Sequence, residues 1–371
     1  MTPAGLPLSS STPSPKSQNL WNTHNDSNNI ESYAVLWTMS VADYYMETND
    51  TDTLQLYAAN IDAKLKHAQS IEGSASGWGK LKPWHGANLR FFGWDERLGA
   101  GFENASCPES QRDYSMLTSR ASREFADALQ RAGLRPDWVT AHRQAADQIL
   151  ANLRKDPTWW QDFGMHAAAE AINTNQLTAA EVARLVPQLE DVTQICSLSP
   201  FNQFWILQAL GNAGLMAKAQ ESIDLCWGGQ VRLGGTAFWE IFQDDWNSVL
   251  EPSEPVFDSD NGMTSLCHPW SSGLVQWTTE NLGGIAPLLP NFGRFRVAPA
   301  LARVSLQRPV FRTAPIEVEV DAPVVSAAVP VSGLTVVVKA PPSVVRITSG
   351  GPPGSRCTAS AGVKCPAHGP S

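Results

Sequence analysis

The sequence predicts a mainly α protein: an (α/α)6-type helical toroid, with fewer than the full six hairpins legible, followed by a small C-terminal β-sandwich. Three observations carry this. Apolar residues recur three or four apart in segment after segment, with short turns between, the period of helices packed on one face. Starts and stops are written in capping residues and glycines. Near residue 295 the pattern changes to short Val-rich runs, and the charge changes with it. Residues 291–371 hold 9 basic and 3 acidic side chains, leaving 18 basic and 33 acidic ahead of them.

From Tyr33 to Met46 the residues are apolar nearly all round (Val35, Leu36, Trp37, Met39, Val41, Tyr44, Tyr45), as in a helix covered on both sides. After the turn Thr48-Asn49-Asp50-Thr51, Leu54, Tyr57, Ala58, Ile61, Leu65 and Ala68 make a single stripe. A covered helix followed by a half-covered one is an inner and an outer helix of one hairpin. The next pair has Tyr114, Leu117, Ala121, Phe125 and Ala128 ending near Gly133, then Trp138, Ala141, Ala145, Ile149 and Leu153 after Pro136. The glycine fits a left-handed C-terminal cap. Further helices are expected at about 162–173, from Thr178, where Thr-Ala-Ala-Glu181 is a capping box, and at about 201–210, 214–225 and 264–281. Serial hairpins of this kind close into toroids or stack into solenoids.

Strands are expected at Ile316–Val320, Val324–Val331 and Leu334–Val338, with Pro and Gly between them. The expected layout is a Pro/Ser-rich disordered start over 1–18, the helical barrel over 19–290, the β module over 291–348, and a disordered Gly/Pro/Ser-rich tail over 349–371.

The formal charge is −9, and no basic run offers a track for phosphates, so nucleic acid is excluded as an expected partner. No stretch reaches the roughly 18 apolar residues of a membrane helix. Residues 1–18 lack the charged start and apolar stretch of a secretory signal. The expectation is a cytoplasmic protein, or a secreted one if a signal precedes this start. The sequons at Asn25, Asn49 and Asn104 are compatible with secretion. Cys107, Cys196, Cys226 and Cys267 read as buried thiols, and Cys357 with Cys365 as a tail disulfide in an oxidising compartment. No metal spacing and no cofactor motif is present. All 14 Trp precede residue 291. The indole offers a flat face to a sugar ring, and Trp84, Trp94, Trp227, Trp239 and Trp270 are expected on loops. His166 reads as a packed histidine at a helix start, and Trp159-Trp160 as core.

Chemistry is expected where acids, glycines and aromatics share a connection. Three segments do so: Cys226-Trp-Gly-Gly-Gln-Val-Arg-Leu-Gly-Gly-Thr-Ala-Phe-Trp-Glu240, Thr264-Ser-Leu-Cys-His268-Pro-Trp270-Ser-Ser-Gly, and Phe91-Phe-Gly-Trp94-Asp95-Glu96-Arg97-Leu-Gly-Ala-Gly-Phe-Glu103-Asn104.

In this order they resemble the six-hairpin glycosidases of the α-L-rhamnosidase family. Gly-Gly-Thr-Ala-Phe-Trp-Glu240 is similar to that family's Gly-Ala-Thr-Thr-(apolar)-Trp-Glu loop, and Ser265-Leu-Cys-His268 to its Ser-Leu-Asn-His. Phe292-Gly-Arg-Phe-Arg-Val-Ala-Pro299 is similar to the signature leading from barrel to β-sandwich. The resemblance covers roughly residues 20–345. It implies an inverting hydrolase of terminal α-L-rhamnosides, with Glu240 as general base and His268, Trp94, Asp95, Trp239, Trp270 and Trp227 around the sugar. Glu96 is the expected acid, with Glu103 and Asp95 as alternatives. The family's own acid segment has no clear counterpart, and about eight or nine helices are legible where six hairpins need twelve. The chain therefore reads as an N-terminally truncated or divergent member. The alternative is a catalytically inactive carbohydrate-binding relative that lacks the acid.

Overall fold

The structure is a computed structural model and describes residues 31–71, 108–161, 163–190, 200–240, 242, 266–297, 303–308, 310, 316–321, 335–339, 346–349 and 356–359. The expected strand at Val324–Val331 lies outside these. The chain forms two compact units, Met1–Ser40 with Gln55–Gly273, and Val41–Leu54 with Leu274–Ser371.

Helical hairpins follow in chain order, all in the first unit except Val41–Leu54, the turn end of the first hairpin, which belongs to the second. Helices α1 (Glu31–Thr48) and α2 (Thr51–Ile71) meet at Asn49, which takes φ +58°. Then come α3 (Pro108–Ala132) with α4 (Pro136–Leu153), α5 (Met165–Asn173) with α6 (Ala179–Leu189), and α7 (Pro200–Asn212) with α8 (Met216–Arg232). Helix α5 packs between α3 and α7, and all nine of its residues are buried. The outer helix α4 buries one stripe, His142, Ala146, Ile149, Leu150 and Leu153, at helical spacing. These faces are the inner and outer helices that the periodicity predicts.

The expected caps are present. Gly133 adopts φ +69°, and Leu134 N–H reaches back to Leu129 O at 2.9 Å, closing the end of α3. At α6 the Thr178 hydroxyl accepts from Glu181 N–H (3.3 Å) while the Glu181 carboxylate accepts from Thr178 N–H (2.8 Å). Arg154 of the preceding hairpin donates to both Glu181 oxygens, at 2.7 and 3.0 Å. This pairing holds the Glu181 carboxyl down to about 2.

One buried polar cluster joins three helices. His142 of α4 places Nε2 3.1 Å from Asp62 Oδ1 and Nδ1 3.2 Å from Gln69 Nε2, and the same amide donates to Ser122 Oγ at 3.0 Å. An amide nitrogen only donates, so Nδ1 accepts and Nε2–H donates to Asp62: the imidazole is neutral. Burial, aided by the Lys66 charge, lowers its pKa against the pull of Asp62. A lowered folded pKa means that the unfolded chain binds the proton first. This contribution to stability is whole above about pH 6.5 and is lost as pH falls below it. The melting temperature of the wild type is expected to fall more steeply below that pH than that of His142→Gln. Parallel curves for the two would show that His142 carries no such linkage.

The second unit holds two sheets, ordered β1-β2-β6 and β3-β4-β5-β7. The strands are β1 (Ile285–Leu289), β2 (Arg294–Val297), β3 (Arg303–Arg308), β4 (Ile316–Asp321), β5 (Thr335–Lys339), β6 (Arg346–Ser349) and β7 (Arg356–Ala359). Antiparallel neighbours β1–β2 and β3–β4–β5 are flanked by β6 and β7, which pair in parallel with β2 and β5. Ile285, Phe292 and Phe295 are fully buried, whereas Arg294 and Arg296 point outward. Arg308 of β3 bonds Glu47 at 2.6 Å, lies 3.9 Å from Glu280, and covers the Phe292 ring at 5.4 Å.

Three expectations are corrected here. The helix expected over 264–281 is broken into a 3-10 turn (Pro269–Ser272), the short α9 (Gly273–Trp277) and a π turn (Thr278–Leu282). Thr278 and Thr279 both bond back to Val275 O, competing with the regular ladder. The β pattern begins at Ile285, ahead of Phe295, in a strand obscured by Pro287. The tail expected to be disordered from 349 contains β7, whose Cys357 sits in the ladder opposite Val336.

Candidate functional site

The Glu240 loop is set by how α8 ends. Gly234 takes φ +82° and Gly235 N–H returns to Gln230 O at 2.8 Å, so the chain turns sharply off the helix. A Cβ at Gly235 would sit 2.8 Å from Gln230 O and 3.2 Å from the Trp239 ring. Gly235→Ala is therefore expected to lower the melting temperature by several degrees, about 2–4 °C per kcal/mol of strain. An unchanged melting curve would show that the turn gives way freely.

The two site segments are sewn together by backbone. His268 N–H donates to Phe238 O at 2.7 Å, Trp270 Nε1–H donates to Glu240 O at 2.8 Å, and Ser271 Oγ–H donates to Trp239 O at 2.5 Å. The result brings Glu240 Oε2 within 3.5 Å of His268 Nδ1, with the carboxylate 13% and the imidazole 31% exposed. Trp270 borders the pair, 4.7 Å from the imidazole, and stacks on Phe201 of α7 at 5.5 Å and 25°. A part-buried carboxylate, an imidazole and an indole side by side can accept a proton from water, bond hydroxyls and cover a sugar face.

Of the residues singled out in the sequence, the structure joins Glu240, His268 and Trp270. Trp239 and Trp227 lie beneath them. Trp227, expected on a loop, is on α8, because the helix runs through Gly228-Gly229 to Arg232. It is buried, donates Nε1–H to Ser271 O at 3.3 Å and packs edge-on against Phe242 at 4.9 Å. Trp239 is buried too. Both support the loop from below and present no face to solvent. Glu96, Trp94, Asp95 and Glu103 lie outside the described residues, as do Trp84, Cys107 and Cys196. Two cysteine expectations are corrected: Cys226 is disulfide-bonded, and Cys267 is exposed.

Sequence reasoning missed the floor of the site. Near the N-terminal ends of the inner helices a cavity is lined by Asp113 and Leu117 of α3, His166 and Glu170 of α5, and Phe201, Asn202 and Trp205 of α7. Phe201 links it to Trp270. It leaves about 10 Å³ for water, room for about one molecule and far too little for a pyranose. Asp113 and Glu170 fall on helix interiors, where the letter pattern gives no reason to distinguish them from solvated acids. His166, expected to be packed, is buried and also faces this cavity.

The fold and this arrangement define a class: a barrel of helical hairpins with an acid-bearing rim and a trailing β module. Among solved structures its fold is that of the α-L-rhamnosidases. It is similar to a GH78-family rhamnosidase of Bacillus sp. GL1, with TM-score 0.68 and 17% identity over 91% of this chain. It also resembles a Klebsiella oxytoca rhamnosidase with rhamnose bound (0.53, 18%, 67% of the chain). A Streptomyces avermitilis α-L-rhamnosidase complexed with L-rhamnose is similar as well (0.58, 14%, 78%). The chain spans 35%, 46% and 27% of those three proteins. No family model and no curated protein sequence matches it.

Proposed function

We propose that this chain is the helical catalytic part of a glycoside hydrolase that removes terminal α-L-rhamnose with inversion, and that Glu240 is its general base. The observation that carries the reading is the grouping of Glu240, His268 and Trp270 on one rim of a rhamnosidase-like barrel. Glu240 takes a proton from a water as that water's oxygen bonds the anomeric carbon. The glycosidic C–O bond breaks on the opposite face, and its oxygen receives a proton from a carboxylic acid. Glu96 is the proposed acid, with Trp94 and Asp95 as walls of the sugar pocket. His268 bonds a sugar hydroxyl and Trp270 covers a ring face. A carbohydrate substrate is favoured because two of the similar structures carry rhamnose by name. The Cys226 disulfide supports an oxidising compartment, hence secretion.

The test is hydrolysis of an aryl α-L-rhamnoside followed by proton NMR. Release of β-L-rhamnose as the first product is expected. First appearance of the α-anomer would refute inversion. Absence of turnover on this and other aryl glycosides, with L-rhamnose still bound, would replace the enzyme with a binding protein.

A further inference from the structure

The second unit carries its positive charge unevenly. Residues 291–371 hold 9 basic and 3 acidic side chains, and all three acids, Glu317, Glu319 and Asp321, are on β4. There the register sets Arg303 against Asp321 and Lys339 against Glu317, so the four-stranded sheet offsets part of its charge from within. The three-stranded sheet has no such means. None of β1, β2 and β6 contains an acid, whereas β2 and β6 supply Arg294, Arg296 and Arg346.

The ladder puts these three positions on one face. Residues two apart on a strand share a face, and register partners stand side by side about 4.8 Å apart. Arg294 is the partner of Arg346 and Arg296 that of Thr348, and on the other side of β2 they meet Leu289 and Ala286. Phe295, between the two arginines of β2, is fully buried on the opposite face, while Arg294, Arg296 and Leu289 are exposed. Neither Arg294 nor Arg296 has an ion-pair partner among the described residues. The part-buried Glu280 accepts from Gln276 at 3.1 Å and feels Arg296 less than it feels Arg308. Like charges in register destabilise a sheet, and an anion laid across this face would relieve them.

We propose that this face holds an acidic polysaccharide, a chain whose uronate carboxylates seat on the arginines. A guanidinium fork takes a carboxylate by two parallel hydrogen bonds, and the exposed Leu289 beside Arg294 gives a sugar ring an apolar neighbour. Two other polyanions fit less well. Single-stranded nucleic acid is gripped by bases stacked on aromatic side chains, and the positions of this face are Leu, Ala, Arg and Thr. Anionic membranes are met by clusters of about 4–8 basic residues, more than this sheet offers. That the partner is a sugar polymer rests on the glycosidase reading above; that it is anionic rests on the sheet alone.

The experiment uses the full chain, with polygalacturonate as the probe and pullulan as its neutral counterpart, and measures Kd at about 50 mM salt. Polygalacturonate is expected to bind and pullulan not, with the affinity falling as salt is raised to about 200 mM. Arg294→Gln with Arg296→Gln is expected to weaken binding at least about tenfold and to leave turnover of an aryl α-L-rhamnoside unchanged. Arg131→Gln with Lys155→Gln removes the same charge from exposed positions of the first unit and is expected to bind as the wild type does. No binding of polygalacturonate, equal losses in the two double variants, or tighter binding of oligo(dT) or of phosphatidylserine vesicles would overturn the proposal. Failure of the glycosidase reading leaves a different mark: no turnover by the wild type, with polygalacturonate still held through Arg294 and Arg296.

Discussion

Glu240→Gln is expected to lower kcat on an aryl α-L-rhamnoside by about 10²–10⁴-fold, the span that a positioned base contributes. That is about 3–5 kcal/mol of transition-state stabilisation. The amide is nearly the shape of the acid, and the bond that holds this segment is made by the Glu240 carbonyl to Trp270, which the substitution leaves in place. KM is therefore expected to change little. A small anionic nucleophile needs no base, so azide is expected to restore turnover to the variant and yield the glycosyl azide. Azide rescue separates a chemical role from a structural one, because a variant damaged in folding gains nothing from it. Full activity in Glu240→Gln would remove Glu240 from the chemistry. His268→Ala offers the contrast: a group that binds the sugar raises KM, whereas a group that orients Glu240 lowers kcat.

These expectations rest on residues the sequence does make visible. A carboxylate after two aromatics at the end of a double glycine is legible because the glycines have one job each. Gly234 supplies the left-handed turn and Gly235 the close approach to Gln230 O. The hairpins were legible for a similar reason: a covered helix such as α5 and a striped one such as α4 leave different apolar patterns. What stayed hidden is three-dimensional. Nothing in the letters Gly-Gly-Gln-Val-Arg says that α8 continues through them and buries Trp227. Phe201, 69 residues before Trp270, becomes its stacking partner only once α7 and the His268 segment are brought together. The broken helix after Pro269 is of the same kind. Its apolar spacing is helical, and the interruption comes with threonine hydroxyls that bond back to Val275 O.

Arg120→Met is the substitution expected to harm the fold most. Arg120 reaches from α3 into the core, donating to Glu124 Oε1 at 2.8 Å and to both Glu170 oxygens at 3.1 and 3.3 Å, while its guanidinium lies 4.8 Å over the Trp205 ring. Burial opposes its charge, and the two carboxylates more than restore it, holding its pKa above the ordinary value. Burial pushes Glu170 up, and Arg120 pulls it back part of the way. Removing the arginine leaves Glu170 buried without its counter-ion. A loss of about 3–5 kcal/mol is expected, because breaking one side of a buried pair strands the other charge. In a unit of this size that is on the order of 10 °C in melting temperature. The sign with pH follows. A carboxyl whose folded pKa is raised favours the folded state at low pH and loses that contribution as pH rises through the folded pKa. The Arg120→Met defect should therefore shrink between pH 8 and pH 5 as Glu170 takes up a proton. Arg120→Met with Glu170→Gln should recover much of the loss at pH 8, since the stranded charge is gone. Equal defects at both pH values, or no recovery in the double variant, would place the cost in lost packing over Trp205 instead of in the buried charge.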